Sequence, residues 1–533
     1  MSNNNQKKSV YFPVLLALAV VLGMFLNSLF QGGTKVDKGL FVVNQPNKLE
    51  TVLDMIDEDY VDTVSKNRLV EEAIPAILKD LDPHTVYIPA KDLQKVNDDL
   101  QGNFGGIGVQ FIKFQDTVAV VRVIPGGPSE RAGIIAGDRI VSVDDSLIAG
   151  VKMKDTDIMK RLKGPSGSPV KVSIARKGVK DLMHFNIVRG QIPMPSVDVA
   201  YMLDDRVGYI KVNRFAATTF YEFSKGLDKL KQQGLQKLII DLRGNQGGFL
   251  SEATQMINEF LPERKMIVYT QGKSQPKTDY MSNGKGACKE LPISILIDEG
   301  SASASEIFAG AIQDNDRGQI IGRRSFGKGL VQEQRLLPDG SALRLTVARY
   351  YTPTGRCIQK SYSNGKDDYY NDLNTRFMHG EFSQADSIHF NDSLKFVTPG
   401  GKIVYGGGGI MPDIFVPADT SGYSKYLEKL RRKSLIYQFA FTYVDNHRKE
   451  LANLKDHKAI VKYLNEVNIL GQLISYAQKE GIKRDDKGLR DSRKIIQTQL
   501  MAYIARDLID DDGYFPIIRD LDSTLEKAYT LMQ

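Results

Sequence analysis

The alternation of short apolar segments with helical ones between residues 192 and 417 constrains the fold more than any other feature of the sequence. The apolar segments have the length of strands, and the segments between them repeat apolar residues at helical spacing. The strand-like segments are 207–212, 237–242, 293–297 and 319–322, and the helix-like segments are 218–233 and 251–261. Such alternation is typical of a sheet covered by helices. The sequence therefore predicts an α/β core at 192–417, with a hairpin turn at Asp339 and Gly340.

Residues 100–190 have a different pattern, in which short strands alternate with turns rich in glycine and proline. The glycine motif at 106–109, the Pro-to-Gly segment at 128–133 and the pair Gly137-Asp138 make this region resemble a PDZ domain. A PDZ groove binds an extended peptide as an added strand and captures its carboxylate with backbone N–H groups. The alternative is a generic small β domain. The resemblance implies a peptide site at Gly106, Ile107, Gly108 and Val109.

The N-terminus carries an uncharged apolar run, residues 11–30, preceded by Lys7 and Lys8. Twenty helical residues at about 1.5 Å each span roughly 30 Å, the thickness of a bilayer core. The run offers no small-residue cleavage site, so the sequence predicts an uncleaved anchor in the inner membrane. The basic flank predicts that the body of the chain lies in the periplasm or another extracytoplasmic space.

Two further regions are helical by pattern. Residues 47–99 form a predicted N-terminal helical segment, and residues 420–533 form a predicted helical domain with an apolar stripe at Ile496, Leu500 and Ile504. The expected fold class is therefore a multidomain α/β protein with a membrane anchor, a helical segment, a PDZ domain, a core and a helical C-terminal region. The C-terminal helices are expected to mediate homo-oligomerisation, to bind an adaptor protein, or only to cover the core.

Composition and motif content exclude several classes of function. The net charge of +7, from 71 basic and 64 acidic residues, includes no dense Lys/Arg block, so nucleic acid is not an expected partner. None of the six histidines lies in a zinc-hydrolase motif or beside a nucleophile elbow. Cys288 and Cys357 are too few for a zinc site, and they either form one disulfide or remain free thiols. Neither a metal nor another cofactor is expected.

Three serines lie in the motif Gly-Ser-Ala-Ser-Ala-Ser-Glu at 300–306, which follows the strand-like segment 293–297 and opens a helical run. Ser303 and Glu306 fit a capping box. The same geometry exposes Ser303 at a strand-to-helix turn, where free backbone N–H groups favour developing negative charge. A capping role and a nucleophilic role are therefore compatible for Ser303.

Lys328 is flanked by glycines, a context that is more often a surface turn than a site. A lysine acts as a general base only when it is neutral, which requires a pKa lowered from about 10.4 to roughly 7–8. That shift corresponds to about 4 kcal/mol of unfavourable charge burial. Phe326, Leu330 and Val331 are expected to line a dry pocket around the amine. Gln332, four residues on, is expected to hydrogen-bond the amine and orient it.

A third motif, Asp-Leu-Arg-Gly-Asn-Gln-Gly-Gly at 241–248, fits a strand-ending turn whose glycines let backbone N–H groups approach a substrate oxygen. In order with the motifs at 300–306 and 325–332, and after a PDZ-like segment, it resembles the carboxyl-terminal processing peptidases, tail-specific Ser–Lys proteases of subfamily A of peptidase family S41. Matches at 81–84, 104–108, 351–356 and 409–413 extend the resemblance over about 48–417. The chain departs from the family at Gln246, where proline is common, and at Asp298-Glu299, where an asparagine is common.

The resemblance implies a ClpP/crotonase-like core with Ser303 as nucleophile, Lys328 as general base and Gln332 as its orienting partner. It also implies an oxyanion hole formed by backbone N–H groups of Ala304, Gly247 and Gly248, and a peptide-sensing role for Arg161. The predicted function is a serine endopeptidase that cleaves extracytoplasmic proteins near unstructured C-terminal tails. One alternative is a non-catalytic PDZ scaffold that keeps the protease fold. A second is an acyl-thioester enzyme, which leaves the PDZ-like segment and the Lys328 motif unexplained.

Overall fold

The computed structural model describes residues 17, 19–22, 47–114, 116–388 and 391–533. Most of the predicted anchor at 11–30 lies outside these described residues. None of the helices in the described part of the chain is both long and apolar enough to cross a membrane. The chain divides into two compact units, Met1–Ala73 and Ile74–Gln533.

Helices make up most of the segment at 47–99. Helix α1 (Lys48–Asp59) begins at Asn47, whose side-chain oxygen accepts a hydrogen bond from the N–H of Leu49 at 3.2 Å. Helix α2 (Lys66–Leu78) contains the boundary between the two units. The second unit continues with β1 (Val86–Ile88), α3 (Ala90–Gln101) and β2 (Asn103–Gly106).

The PDZ-like region folds into an antiparallel sheet with two helices. Its elements are β3 (Val109–Phe114), β4 (Thr117–Val123), α4 (Pro128–Ala132), β5 (Arg139–Val143), β6 (Ser146–Leu147), α5 (Asp155–Leu162), β7 (Pro169–Ala175) and β8 (Met183–Val188). The strand order is β3-β4-β5-β7-β8, with β6 paired to β5. β9 (Gly190–Pro193) then pairs antiparallel with β2, so the chain enters and leaves this domain at one place.

The α/β core contains two larger sheets and a two-stranded one. Its elements are β10 (Val197–Met202), β11 (Val207–Val212), α6 (Thr219–Gln232), β12 (Lys237–Asp241), α7 (Leu250–Asn258), β13 (Met266–Gln271), β14 (Thr278–Met281), β15 (Ile293–Ile297), α8 (Ala304–Asp314), β16 (Gln319–Gly322), β17 (Leu330–Leu336), β18 (Ala342–Tyr351), α9 (Lys366–Met378), β19 (Lys395–Val397), β20 (Ile403–Tyr405) and β21 (Ile414–Phe415). The main sheet has the order β10-β11-β12-β15-β16-β21 and is parallel except for β10. The second sheet has the order β1-β18-β13-β14, with β17 also paired to β18, and β19 and β20 pair with each other.

The C-terminal region is helical, as the sequence predicts. It consists of α10 (Lys425–Arg432), α11 (Leu435–Leu451), α12 (His457–Glu466), α13 (Ile469–Lys479), α14 (Asp486–Ile509), α15 (Asp511–Ile518) and α16 (Ser523–Met532). The stripe Ile496, Leu500 and Ile504 lies fully buried in the core of this helical group. α11 also contacts the PDZ-like sheet, where Asp445 accepts a hydrogen bond from Arg139 at 2.8 Å.

Both faces of the main sheet are covered. Helices α6, α7 and α8 pack on one face with Leu238, Ile240 and Ile295. On the other face Ile239 and Leu296 pack against Leu525 and Ala528 of α16. Parallel strands that are buried on both faces are continuously apolar, which is why these strands stand out in the sequence.

The predicted multidomain α/β fold class is confirmed for the described part of the chain. The strands predicted at 207–212, 293–297 and 319–322 have the bounds observed for β11, β15 and β16. The hairpin predicted at Asp339 and Gly340 joins β17 and β18.

Candidate active site

A cleft of about 970 Å³ contains the residues that the sequence motifs single out. Ser303 and Lys328 both line it. The other predicted site residues that line this cleft are Gln332, Ala304, Gly247 and Gly248. Three segments that lie far apart in the sequence, 247–248, 303–304 and 328–332, therefore meet at one surface, at the N-terminal end of α8.

Ser303 lies on a sharp turn between β15 and α8. Its backbone has φ 56° and ψ −114°, a region that residues with a side chain seldom adopt. This strained strand-to-helix turn has the geometry that projects a serine hydroxyl from the top of a sheet. The adjacent turn at Gly247 lies so close that a Cβ added there would approach Cβ of Ser303 to 2.8 Å.

The three serines of this motif differ in what their side chains contact. The hydroxyl of Ser301 donates to the carbonyl of Leu242 at 2.8 Å, and that of Ser305 donates to the carbonyl of Asn245 at 2.8 Å. Ser301 and Ser305 are fully buried, whereas Ser303 is partly exposed. The outer serines thus tie the loop to the 241–248 turn, and the middle one faces the cleft.

Glu306 connects the Ser303 turn to the loop that carries Lys328. The capping box predicted at 303–306 is present, and the Glu306 carboxylate accepts from the N–H of Ser303 at 2.8 Å. The same carboxylate accepts from the hydroxyl of Ser325 at 2.5 Å and from the N–H groups of Gly327 at 2.7 Å and Lys328 at 2.8 Å. Burial raises the pKa of Glu306, and these four donors oppose that effect. The sequence identified Glu306 only as a helix cap, yet this residue joins the two motifs.

Lys328 is half-buried and carries a perturbed amine. Burial lowers its pKa, and the nearby positive charge of Arg344 lowers it further, while the carboxylates of Glu306 and Asp82 act in the opposite direction. Both lowering effects disfavour the ammonium form. Nζ donates to Oε1 of Gln332 at 3.2 Å, which is the contact that the sequence predicts.

A backbone carbonyl fixes the orientation of the Gln332 amide. Nε2 of Gln332 donates to the carbonyl oxygen of His84 at 2.6 Å. Because a carbonyl can only accept, the amide nitrogen faces His84 and the amide oxygen faces Lys328. The amine of Lys328 therefore donates a hydrogen bond to Gln332. When the amine is neutral, its lone pair is not used in this contact and can accept a proton.

The segment at 82–85 holds that carbonyl in place, a role that the sequence analysis missed. The carboxylate of Asp82 accepts from the N–H groups of His84 at 2.8 Å and Thr85 at 2.9 Å, and from the hydroxyl of Thr346 on β18 at 3.0 Å. Nε2 of His84 lies 2.8 Å from the hydroxyl of Tyr369 on α9. Burial, and then the charge of Lys328, lowers the pKa of His84 to about 4, so its ring is neutral near pH 7. The only sequence signal was the short motif match at 81–84.

The pocket around Lys328 differs from the predicted one in one residue. Leu330 and Val331 line the cleft, but the ring of Phe326 is absent from its lining. Phe326 lies under the amine of Lys360, 3.9 Å from its ring centroid, and packs edge-on against Tyr369. Phe326 is therefore not among the described residues that line the cleft, and its ring packs against Lys360 and Tyr369 instead.

The glycine turn offers fewer donors than its two glycines suggest. The N–H of Gly247 already donates to Oδ1 of Asn245 at 2.8 Å. The N–H of Ala304 opens α8, and the first N–H groups of a helix have no intrahelical partner. Among the hydrogen bonds of the described residues, none uses the N–H of Ala304 or of Gly248. Those two groups remain the candidates for an oxyanion hole.

Arg243, in the same 241–248 motif, belongs to a separate cluster. Its guanidinium donates to Oδ1 of Asp241 at 3.0 Å and to both carboxylate oxygens of Asp522, the N-cap of α16, at 2.7 and 2.6 Å. Asp241 is fully buried and also accepts from the hydroxyl of Tyr209 at 2.7 Å. Burial alone would raise the pKa of Asp241, but the charges of Arg243 and Lys211 outweigh it and hold that pKa below its usual range. This half of the motif anchors the last helix.

The residues predicted to bind peptide lie in the PDZ-like domain. None of them is among the described residues that line the cleft. Gly106 ends β2 and Val109 begins β3. Ile107 is buried and its carbonyl accepts from the N–H of Ser129 at 2.9 Å. Arg161 has an exposed side chain on α5, and its carbonyl accepts a hydrogen bond from Nη2 of Arg189 at 2.8 Å.

Neither cysteine is in a disulfide: Cys288 is buried and Cys357 is half-buried, and both are free. Within the part of the chain that the structure describes, no group of His, Cys, Asp or Glu side chains is arranged to hold a metal ion. The polar side chains that line the cleft are those of serine, lysine, arginine, tyrosine, asparagine and glutamine.

Family models match four parts of the chain. Peptidase family S41 matches residues 206–367, and a PDZ domain matches 105–187. The N-terminal domain of the activating protease CtpB matches 29–92, and a family of unknown function, DUF8443, matches 426–510. The first two models fall on the α/β core and on the PDZ-like sheet.

Curated relatives agree with these matches. The carboxy-terminal-processing protease of Bartonella bacilliformis is 36% identical over 313 residues, which cover 58% of this chain and 71% of that protein. A probable CtpA-like serine protease of Staphylococcus aureus is 33% identical over 348 residues, covering 65% of this chain and 68% of that protein. Among solved structures, a photosystem II D1 C-terminal processing protease is 25% identical with a TM-score of 0.36, covering 69% of this chain and 92% of that one. The chain belongs to peptidase family S41, and it carries a PDZ domain.

Proposed function

We propose that this chain is a serine endopeptidase that cleaves proteins near their C-terminal tails, with Ser303 as nucleophile and Lys328 as general base. The observation that carries the proposal is the shared cleft: a serine on a strained turn faces the same space as a lysine whose pKa is lowered by burial. Both residues are tied through their backbone N–H groups to the one carboxylate of Glu306. Membership of peptidase family S41 and the names of the relatives support the same reaction.

In the proposed reaction, the neutral amine of Lys328 takes the proton of the Ser303 hydroxyl as Oγ attacks the scissile carbonyl carbon. The N–H groups of Ala304 and Gly248 stabilise the resulting oxyanion. When the C–N bond breaks, the ammonium of Lys328 returns its proton to the leaving amine and an ester to Ser303 remains. Water, deprotonated by Lys328, then releases the new C-terminus and restores the serine.

The PDZ domain is proposed to hold the substrate tail. Gly106, Ile107, Gly108 and Val109 would supply the backbone of the carboxylate-binding loop. Arg161 is proposed to sense the bound peptide from the end of α5, where its side chain is exposed. Replacing Arg161 by alanine should reduce the stimulation of cleavage by a tail peptide, and unchanged stimulation in this variant would discard that role.

The proposed compartment is extracytoplasmic, with residues 11–30 as the anchor. The uncharged run and its basic flank support this proposal. The full chain should stay in the membrane pellet after a carbonate wash, and protease added outside spheroplasts should digest its body. A body that remains protected until the cells are lysed would contradict the proposal.

The decisive experiment compares the full chain with Ser303→Ala on an unfolded protein substrate. The wild type should cleave and Ser303→Ala should not, while a variant at an exposed serine of the β13–β14 loop, Ser274→Ala, should retain wild-type activity. Equal and negligible cleavage by the wild type and Ser303→Ala would favour the rival function, a PDZ scaffold that keeps the protease fold. Covalent labelling of Ser303 by a serine-directed inhibitor would identify the nucleophile directly.

A further inference from the structure

The charge of the catalytic cleft is unbalanced. Among the described residues that line it, Lys328 and Arg344 are basic and none is an aspartate or glutamate. Lys328 has Gln332 as its side-chain partner. Arg344 therefore brings a second positive charge into a site that already contains a partly desolvated lysine.

Amide groups fix the guanidinium of Arg344 in the cleft. Arg344 lies on β18, opposite Gln334 of β17, and its Nη2 donates to Oε1 of Gln334 at 2.9 Å. Nε2 of Gln334 donates in turn to Oδ1 of Asn97 on α3 at 3.0 Å. Because a guanidinium can only donate, the oxygen of Gln334 faces Arg344 and its nitrogen faces Asn97. All three side chains line the cleft.

Arg344 has no carboxylate partner in the described part of the chain, in contrast to the buried Arg376 and Arg356. Arg376 pairs with Glu381 at 2.7 Å and Arg356 pairs with Asp314 at 2.6 Å. In the described part of the chain no salt bridge includes Arg344, and burial alone lowers its pKa, with no opposing carboxylate. A desolvated cation without a partner is unfavourable, so the arrangement is suited to a ligand that brings the missing negative charge.

We propose that Arg344 is a carboxylate-binding subsite of the cleft, which selects substrates with an acidic group close to the scissile bond; this inference rests on the proposed function. A guanidinium presents two parallel N–H donors that match the two oxygens of a carboxylate. The group is supplied either by the side chain of an aspartate or glutamate or by the α-carboxylate of the tail. The amide chain from Asn97 holds the guanidinium ready for either source.

The test is a cycle that combines variants of the full chain with matched peptides. Four peptides share one unfolded sequence and differ only in glutamate or glutamine near the scissile bond and in a free or amidated C-terminus. In Arg344→Gln, kcat/KM should fall about 10- to 100-fold for peptides that carry the recognised carboxylate and little for the neutral ones. A loss that follows glutamate identifies a side-chain carboxylate, and a loss that follows the free C-terminus identifies the α-carboxylate.

Two control variants define the chemistry. Arg344→Lys keeps the positive charge but loses the two parallel N–H donors of the guanidinium. It should therefore retain only part of the wild-type selectivity for carboxylate peptides. Arg335→Gln, in the same hairpin but exposed and outside the cleft lining, should leave all four peptides unchanged. A loss in Arg344→Gln that is equal for all four peptides, or no loss for any of them, would overturn the proposal.

Binding measured in a Ser303→Ala background separates this inference from the proposed function. If the wild type cleaves nothing but carboxylate peptides still bind more weakly to the Arg344→Gln form, the proposed function fails and the subsite stands. If cleavage is normal and binding ignores the carboxylate, the subsite fails alone.

Discussion

Two clusters of buried charge in the protease core differ in whether their charges cancel. In the first, Asp241 and Asp522 face Arg243 and Lys211 beside the end of α16. In the second, Lys328 and Arg344 share a cleft whose described lining contains no carboxylate. The first cluster includes two residues of the 241–248 motif, Asp241 and Arg243, and the second lines the same cleft as Gly247 and Gly248 of that motif.

The difference explains why one cluster is structural and the other is suited to chemistry. Where opposite charges meet at hydrogen-bond distance, each group keeps its ordinary charged form and the network fastens α16 to the main sheet. Where two cations are partly desolvated together, the neutral form of the lysine is favoured. Paired buried charges keep their charged forms, whereas the unpaired cluster lowers the pKa of its lysine.

The largest expected effect comes from removing the amine of the unbalanced cluster. Lys328→Met should lower kcat by about 10⁴-fold, because general base assistance is lost. The midpoint of unfolding should stay the same or rise, since a desolvated cation is replaced by an apolar side chain. Circular dichroism suits the measurement because the chain has no tryptophan.

The exposed Lys433 provides the control for Lys328. Lys433→Met should change neither kcat nor the midpoint of unfolding. A Lys328→Met protein that is active, or that is clearly destabilised, would remove the contrast between the two clusters.

The next largest effect is expected in the balanced cluster. Arg243→Met leaves Asp241 buried with only the more distant Lys211, so the apparent free energy of unfolding should fall by about 3–5 kcal/mol. Arg432→Met also breaks an arginine–carboxylate pair, but that pair, with Glu428, is exposed and should be worth at most about 1 kcal/mol. Similar losses in the two urea unfolding curves would show that burial does not set the strength of these pairs.

A smaller effect is expected from the residue that orients the amine. Gln332→Ala should lower kcat by about 10²-fold with little change in KM, because the amine of Lys328 remains but loses the hydrogen bond that orients it. Gln332→Glu should shift the acidic limb of the kcat/KM profile to higher pH, since a carboxylate beside the amine raises its pKa. A Gln332→Ala protein that weakens KM alone would instead assign Gln332 to substrate binding.

The smallest expected effect is on the pH dependence of stability. The folded pKa of Lys328 lies below its ordinary value of 10.5, so between these two values the unfolded chain binds a proton that the folded chain lacks. Stability in this window should therefore rise with pH, by at most about 1.4 kcal/mol per pH unit from this one group. Lys328→Met should lack this contribution, and kcat/KM of the wild type should rise as the pH approaches the folded pKa from below and level off within this window. Identical stability profiles for the two proteins would place Lys328 in an unperturbed environment.

The sequence predicted much of the core and several members of the cleft, because these features are local. β11 and β15 are short apolar runs with strand propensity, and such patterns need no knowledge of distant neighbours. Ser303, Lys328 and Gln332 stood out because glycines and a helix start surround them. Their assigned roles remain predictions until the variants are measured.

Other features were missed because they depend on residues far apart in the chain. Glu306 could be read as a cap, but its contacts with Gly327 and Lys328 require α8 and the following loop to meet. The orientation of the Gln332 amide depends on the carbonyl of His84, which is 248 residues away in the sequence. Phe326 was expected to line the cleft but packs against Lys360 and Tyr369, because sequence spacing does not say which way a loop side chain turns.

The sequence by itself determined which chemical groups this protein has and the local elements that carry them, since helix caps, strand runs and glycine turns are decided over a few residues. Only the tertiary structure decided which of those groups are paired. Arg243 meets Asp522 from the last helix and is neutralised, whereas Arg344 reaches the cleft with no carboxylate among the residues described there. The pKa of a side chain depends on burial and on charges within a few ångströms, and folding alone brings those distant charges together or keeps them apart.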